Sequence, residues 1–478
     1  MHKLDRLTFS LTLFLGASAA GVACGGAPVE TGSSSGSDSG SGAGSGAGFS
    51  SSSGSGSSSG PDTLTGWWRH VGGPDSDDLH DVAVAPDGDV IVAGAFRGTV
   101  DFGNGPITAA ILEDAFVARY APDGVLRWVS HIGSSVHPSD NVRATGVAVD
   151  GNGNVLLTGL FEGTVDAGTG ALVSAGADDI FVVCYAPDGK PTWSRRIGGA
   201  SFERVGKIAA DAGGNALLAG TQAGKLFVAK LGAAGGEELW FHELGSVQNG
   251  LSDLPPIDDV ATDPAGDLYI TGSFYGSANL GGATLKSIGG TDIFVARYRG
   301  SDGAHMWSDR HGGAADPIAR GDEAFSLAVD DNSVVICGLG WGPVDLGGGV
   351  LEAPTGTRTA FLARYETSGG GHVWSQRLDS HWASRVALSG DAVLVFGMVA
   401  YDDPATGLLG RFALADGAAT GQQAMPGPGS IELAVAGDGH LVMAINFSGQ
   451  VTVGAEDFTA VGGDDLLIGP FLMPSAEP

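Results

Sequence analysis

The sequence carries little positive charge. It has 24 lysines and arginines against 54 aspartates and glutamates, and its formal net charge is −30. Nucleic-acid binding needs a clustered basic face that neutralises phosphates, but the basic residues here are scattered singly. The composition therefore argues against nucleic acid as a partner and disfavours an anionic membrane surface. Cations, and neutral or cationic protein and glycan surfaces, fit it better.

Cysteine is scarce as well, with 3 in 478 residues. Cys184 and Cys337 lie far apart in the repeat described below, and we expect both to be unpaired thiols that are buried or nearly so. The 11 histidines show no H-E-x-x-H spacing, and neither a G-x-S-x-G elbow nor a Walker loop is present. These absences remove motif-based support for an enzyme. They do not exclude catalysis, because a site can be assembled from distant residues.

An apolar run occupies residues 7–23, after the basic residues Lys3 and Arg6. It is too short and ends too abruptly for a membrane span, so residues 1–23 predict an export signal. The run ends in Gly21-Val22-Ala23-Cys24, which resembles a bacterial lipobox. That resemblance implies lipidation of Cys24 as the mature N-terminus, although Gly21 replaces the usual Leu. The alternative is a plain secretory signal that is cleaved near Ala23.

Serine and glycine make up nearly all of residues 31–60. Such a composition cannot bury apolar surface and behaves as a flexible coil with a reach of roughly 30 Å. We therefore expect residues 24–60 to be a disordered tether between the lipid anchor and a folded body. An anchor with a tether predicts an exported protein of the cell envelope, either an outer-membrane lipoprotein or a protein displayed at the cell surface.

Glycine is abundant, with 82 residues, and together with Pro and Asp it marks the turns of a repeat. The unit at residues 81–128 predicts four short strands that are rich in Val, Ala and aromatic residues. Tryptophan marks the fourth strand in five copies, at Trp128, Trp193, Trp240, Trp307 and Trp374. The first strand recurs seven times, beginning at Asp81, Gly146, Lys207, Asp259, Ser326, Arg385 and Glu432.

Seven four-stranded units predict an all-β fold, a seven-bladed β-propeller over residues 61–478. A ring buries each apolar sheet face against the next blade. An extra Trp-containing strand, residues 67–72, precedes the first unit, whereas the seventh unit lacks a fourth strand. We therefore predict that the strand around Trp68 lies next to Leu467, completes the last blade and closes the ring, which removes an open edge.

The patterns DIFVARY and GDVIVAG, a PDG turn, a Trp strand and a following GG resemble the bacterial SBBP-type propeller repeat over residues 67–471. The resemblance implies an exported bacterial propeller and no particular activity, because that family has no established common one. Blades three and six depart from the pattern in lacking the excursion after the second strand. Blade seven departs from it in lacking a Trp of its own.

The connections between strands are of two kinds. The turns within strand pairs one–two and three–four are short, whereas the two–three connections and the links between blades are long and varied and emerge on the opposite face. Variable loops on a rigid scaffold usually carry binding, so we expect that face to bind. Six acids there are candidate binding or cation-ligating residues: Asp77, Asp78, Asp140, Asp258, Asp322 and Glu323. Together they could bind Ca²⁺, which takes several oxygen ligands; the alternative is solvated acidic loops that keep the protein soluble.

The sequence thus predicts a surface-anchored, non-catalytic binding or scaffold protein. We expect a monomer whose partner is an envelope or extracellular protein or glycan, with no cofactor other than this Ca²⁺. Two alternatives stay open: an exported metal-assisted hydrolase with a site at the channel mouth, and a purely structural envelope component.

Overall fold

The computed structural model describes residues 66–471, apart from 111, 135–140, 247–256, 314–320, 355, 379, 399–405, 427–429, 438 and 454–455. The predicted export signal, Cys24 and the tether lie outside the described residues. The described chain is all-β and contains 36 strands. It holds no helix that is long and apolar enough to cross a membrane. Cys184 and Cys337 are buried and unpaired, as predicted.

The strands form seven antiparallel four-stranded sheets, the blades. Strand β1 (Arg69–Val71) precedes the first blade in sequence. Blade 1 follows with β2 (Asp78–Val84), β3 (Val90–Phe96), the short hairpin strands β4 (Thr99–Asp101) and β5 (Pro106–Thr108), β6 (Asp114–Tyr120) and β7 (Leu126–Ile132). Blade 2 has β8 (Val142–Val149), β9 (Val155–Phe161), hairpin strands β10 (Thr164–Asp166) and β11 (Ala171–Val173), β12 (Asp179–Tyr185) and β13 (Pro191–Ile197). Blade 3 has β14 (Arg204–Ala210), β15 (Ala216–Gln222), β16 (Lys225–Leu231) and β17 (Glu238–Ser246).

The remaining blades repeat this arrangement. Blade 4 has β18 (Ile257–Thr262), β19 (Leu268–Phe274), hairpin strands β20 (Ser277–Ala278) and β21 (Leu285–Lys286), β22 (Asp292–Tyr298) and β23 (His305–His311). Blade 5 has β24 (Glu323–Val329), β25 (Ser333–Trp341), hairpin strands β26 (Val344–Asp345) and β27 (Val350–Leu351), β28 (Arg358–Glu366) and β29 (His372–Leu378). Blade 6 has β30 (Trp382–Ser389), β31 (Ala392–Met398), β32 (Thr406–Ala413) and β33 (Ala419–Pro426). Blade 7 has β34 (Ile431–Val435), β35 (Leu441–Val453) and β36 (Glu456–Phe471).

The first strand of each blade lies at the axis and contacts the first strand of the next blade. The order runs β2, β8, β14, β18, β24, β30, β34 and back to β2. Blade 7 takes its fourth strand from the start of the folded body, because β1 pairs with β36 in the register Arg69↔Ile468, His70↔Leu467 and Val71↔Leu466. The predicted blade number and ring closure are both confirmed, and the protein is a seven-bladed β-propeller.

The hydrophobic cores lie between blades rather than within them. In one such core, Phe116 and Tyr120 of blade 1 pack with Leu466 and Ile468 of blade 7. Strands β3 and β6 are buried along their whole length, which explains why their sequences are almost uninterrupted apolar runs. Each fully buried Val, Leu, Ile or Phe side chain contributes about 1.5–3 kcal/mol, so neighbouring blades stabilise each other.

The tryptophans of the fourth strands join neighbouring blades through hydrogen bonds. Each indole N–H donates to a carbonyl in the strand three–four turn of the next blade: Trp67 to Pro122, Trp128 to Pro187, Trp193 to Ala233, Trp240 to Gly300, Trp307 to Thr367 and Trp374 to Leu414. Trp67 does this for blade 7, because the seventh unit has no Trp of its own and the N-terminal strand that closes the ring supplies one. Blade 6 has Gly421 at that position, opposite Arg411.

The excursions after the second strands are short hairpins in blades 1, 2, 4 and 5. Blade 3 lacks one, as predicted, and turns directly from β15 to β16 through Ala223 and Gly224, both with positive φ. In blade 7, β35 and β36 extend beyond the sheet and pair with each other instead. The corresponding segment of blade 6, residues 399–405, lies outside the described residues.

Candidate binding face and central channel

The long connections emerge on one face of the ring, which we call the loop face. Five of the six candidate acids lie in the described residues, whereas Asp140 lies outside them. Asp77 and Asp322 immediately precede the inner strands of blades 1 and 5, and Asp78 and Glu323 begin those strands. Asp258 lies within the inner strand of blade 4. The candidates are therefore spread around the ring.

Asp77 and Asp322 are buried, with 0 % and 4 % of their surface exposed. Asp77 accepts hydrogen bonds from the backbone N–H groups of Gly73 (2.7 Å) and Arg97 (3.3 Å). Asp322 accepts the equivalent bonds from Gly313 (2.8 Å) and Trp341 (3.0 Å). Each carboxyl thus ties the start of an inner strand to the link before it and to the end of the second strand.

Burial raises the pKa of Asp77 and of Asp322 to about 7, although the backbone N–H donors act in the opposite direction. Glu203 precedes the inner strand of blade 3 in the same way, and burial raises its pKa to about 7 as well. The backbone donors that Asp77 and Asp322 bind indicate a structural role for these two carboxyl groups.

The mouth of the channel on the loop face carries charges of both signs. Half-buried Asp78 and Glu323 begin inner strands there, Arg204 begins β14, and Arg143 is the second residue of β8. Burial raises the pKa of Glu323, and the nearby Arg358 partly offsets this effect. The Arg358 guanidinium lies 4.9 Å from the ring centre of Trp341 and 5.9 Å from that of Trp382, a cation–π arrangement. This mouth is mixed in charge and partly aromatic.

Deeper in the channel, a β-bulge interrupts the inner strands of the first six blades, whereas β34 of blade 7 pairs without one. A bulge adds an unpaired residue and redirects side chains. The residues at or beside the bulges include Asp81, Lys207, Asp259 and Arg385. Together with Glu432 of blade 7 they form the channel network described next.

Lys207 of blade 3 crosses the channel to blades 1 and 7. Its Nζ lies 2.9 Å from Asp81 Oδ1 and 3.4 Å from Glu432 Oε2, and it also donates to the His80 carbonyl. The intervening blade 2 has Gly146 at its bulge, where an added Cβ would lie 2.8 Å from the Lys207 Cα. Glycine therefore allows the close approach of the two inner strands that brings Lys207 to the axis.

Glu432 also accepts two hydrogen bonds from the Arg385 guanidinium of blade 6. Burial acts to raise the pKa of Glu432, but Arg385 and Lys207 outweigh burial and lower it. Asp81 has Lys207 as its only ion-pair partner in the described part of the chain, and burial raises its pKa. Side chains from blades 1, 3, 6 and 7 are thus linked by one set of ion pairs across the channel.

The acids of blade 4 lie beside this network. Asp259 accepts hydrogen bonds from Ser326 Oγ and the Leu327 N–H, both at 2.9 Å, and burial raises its pKa to about 6. Burial, with added repulsion from Glu323 and Asp259, raises the pKa of Asp258 well above its ordinary value.

In the residues that the structure describes, no group of three or more His, Cys, Asp or Glu side chains lies close enough together to hold a metal ion. The proposed role of the six acids in Ca²⁺ binding stays a prediction, because Asp140 and several loop-face connections are outside the described residues.

Sequence reasoning missed the channel network. Lys207, Arg385 and Glu432 each begin a copy of the repeat's first strand, at a position where other copies have Asp81, Gly146 or Ser326. Two copies of the repeat have a basic residue at this position, where the other copies have an acidic or a small one. That difference was the signal available in the sequence. The convergence of Lys207, Arg385 and Glu432 became visible only with the ring closed and the bulges in place.

Fold and channel together define a propeller with an ion-paired axis. No family model and no curated protein matches the sequence. Solved structures with a similar arrangement include BamB from Moraxella catarrhalis (13 % identity, 84 % of this chain and 99 % of that chain, TM-score 0.41). Another is the Pan2 WD40 domain of Neurospora crassa (12 % identity, 86 % of this chain and 98 % of that chain, TM-score 0.47). A third is a quinohemoprotein alcohol dehydrogenase from Comamonas testosteroni (10 % identity, 84 % of this chain and 76 % of that chain, TM-score 0.37). Similarities this low carry no inference about function, and the SBBP-type resemblance stays a prediction.

Proposed function

We propose that this protein is an exported, envelope-tethered propeller that binds a protein or glycan partner through its loop face and catalyses no reaction. The observation that carries the proposal is a set of large apolar side chains that project from loop-face connections in blades 1, 3, 4 and 7. All are at least 40 % exposed: Leu112, Phe202, Tyr275, Ile288 and Val461. Apolar area removed from water contributes about 25 cal/mol per Å², so a partner that covers these side chains gains affinity.

The use of the ionisable groups near the axis supports a binding role. Asp77 and Asp322 are committed to backbone N–H donors, and Glu432 is paired with two cations. A general base or metal ligand must instead be within reach of a substrate. These carboxyl groups stabilise the ring, which leaves the loops above it to make contacts.

Site-specific photo-crosslinking tests this proposal. A photoreactive amino acid replaces Phe202 or Tyr275 on the loop face, and the cells are irradiated before the envelope fraction is analysed. Matched controls carry it at Met306 or Val373, which begin fourth strands on the opposite side and are 40 % and 37 % exposed. We expect a discrete crosslinked product from the loop-face positions alone. Equal products from both sides, or none from the loop face, would contradict the assignment of this face.

A further inference from the structure

The rim of the propeller has a cleft between each pair of neighbouring blades, and in several interfaces a hairpin of the chain fills it. The hairpins of blades 1, 2, 4 and 5 emerge after the second strand and lie against the end of the preceding blade's outer strand. The Gly245 N–H of blade 3 donates to the Asn279 carbonyl of blade 4, and the Gly312 N–H of blade 4 donates to Asp345 of blade 5, both at 2.9 Å. The hairpins are therefore part of the joints between blades.

These hairpins share a sequence pattern: an apolar residue, Asp or Asn, a second apolar residue and Gly. It occurs at residues 100–103, 165–168, 278–281 and 344–347. The first apolar residue is at most 2 % exposed in all four copies, and the second is buried in blades 1, 4 and 5. The polar side chain caps the turn; Asp101, for example, accepts from the Gly103 N–H at 2.8 Å. The cleft thus accommodates this pattern in four separate places.

Blade 3 has no hairpin, and its cleft with blade 2 is open. A groove of about 440 Å³ lies there, lined among others by Arg195, Arg196 and Ile197 of blade 2 and Leu231, Glu237 and Phe241 of blade 3. We call it the rim groove. Ile197 is half-buried in it, as is Leu244 of blade 3 beneath the hairpin of blade 4, whereas the residues at the same register in blades 7, 1 and 4 are at most 6 % exposed: Val71, Ile132 and His311.

Two residues make the floor of the rim groove apolar. Phe241 replaces the Val129, Ser194, Ser308 or Ser375 of other blades and stacks on Phe227, with ring centres 5.0 Å apart. Leu231 replaces a tyrosine whose hydroxyl donates to a hairpin carbonyl in three other blades, as from Tyr120 to Phe102 at 3.0 Å. The groove therefore offers apolar surface in the cleft where its neighbours hold a hairpin.

We propose that the rim groove binds an extended segment or hairpin of a partner protein that carries the pattern apolar–Asp/Asn–apolar–Gly. Such a segment takes the place of the missing hairpin: its apolar side chains cover Ile197, Leu231 and Phe241, and its backbone contacts the end of β13. This is recognition by addition of an extended segment to a sheet edge, in which the backbone supplies affinity and alternate side chains supply specificity. The rim groove is lined by none of the exposed apolar side chains on which the proposed function rests, so this binding goes beyond the proposed function and does not depend on it.

The test uses a peptide copied from the protein itself. A fluorescein-labelled peptide of residues 98–109 is titrated with the protein, and its anisotropy is recorded. We expect saturable binding, and no binding of a peptide with aspartate at the positions of Val100 and Phe102. Ile197→Asp should weaken binding about tenfold or more, because it replaces apolar surface of the groove with a carboxylate that loses water when the peptide covers it. Val373→Asp, at an exposed position near the start of the outer strand of blade 5 and outside the lining of the rim groove, is the control and should leave binding unchanged.

A second variant keeps the test decisive if Ile197→Asp fails to fold. Phe241→Ser introduces the residue found in blades 2, 4 and 5, removes apolar surface from the floor of the groove, and should weaken peptide binding severalfold. Peptide should also slow amide hydrogen exchange in residues 195–199. Failure of the parent to bind, or undiminished binding to Phe241→Ser, would overturn the proposal. So would binding that is equally strong to Ile197→Asp, or occupation of the groove by a second copy of the chain, seen as concentration-dependent dimerisation.

Discussion

Replacing Arg385 with Met removes one of the two cations that hold Glu432 in the channel. Glu432 is 4 % exposed, and in the parent it accepts two hydrogen bonds from Arg385 and has Lys207 Nζ at 3.4 Å. Methionine retains much of the arginine's apolar length but cannot pair with the carboxylate. The variant therefore leaves a buried charge with one distant partner.

The expected cost follows from that geometry. Breaking a buried ion pair by removing one partner costs about 3–5 kcal/mol. Lys207 remains near the carboxylate, so we expect the lower end of the range, about 3 kcal/mol in the free energy of unfolding at pH 7. Urea unfolding followed by fluorescence measures it, since the chain has 9 tryptophans. An Arg385→Met/Glu432→Met double variant should recover to within about 1 kcal/mol of the parent, because it removes both charges.

The pH dependence checks the cause. Arg385 and Lys207 lower the pKa of Glu432 in the folded parent, so this pairing stabilises the fold above the unfolded pKa and the stabilisation is lost as pH falls through the folded pKa. The difference between parent and Arg385→Met should therefore shrink as the pH is lowered from 7 to 4. A difference of less than about 0.5 kcal/mol at pH 7, typical of a surface substitution, would refute the buried network.

Three further predictions concern the loop face, the closing strand and the anchor. The pKa values of Asp77 and Asp322 are raised in the folded protein, so these groups stabilise the fold at low pH, and this contribution is lost as pH rises through about 7. A double variant with Asn at both positions should therefore lose more stability relative to the parent at pH 5 than at pH 8. An equal loss at the two pH values would contradict those pKa values. Deleting residues 61–73 removes β1 and opens the edge of β36, so the truncated protein should aggregate and melt at a lower temperature; unchanged solubility and melting would count against closure by β1. Cys24→Ser should release the protein from membranes, and unchanged fractionation would argue against lipidation.

The ring could be predicted from sequence because its determinants are local. Each blade repeats short apolar strands and turn residues. An extra Trp-containing strand before the first unit matches the fourth strand that the seventh unit lacks. The same pairing explains Trp67, whose indole completes the tryptophan series once β1 joins blade 7.

The channel and rim groove were harder to predict because they depend on distance in the fold. Lys207 and Glu432 are 225 positions apart, and their approach depends on inner-strand bulges that alternating strand patterns do not reveal. Asp77 and Asp322 were predicted as candidate ligands on the loop face, but their burial against backbone donors could not be read from composition. The missing hairpin of blade 3 was visible in sequence, whereas the open groove it leaves was not.

Amide hydrogen exchange of residues 69–71 in the intact protein tests the central claim, a ring closed by its own first strand, most directly. These residues pair with Leu466, Leu467 and Ile468, although they begin the folded body after a long Ser/Gly-rich segment. We expect them to exchange as slowly as the β36 residues opposite them, because both belong to one sheet. Complete exchange of residues 69–71 at the earliest time point, with β36 still protected, would contradict the closure.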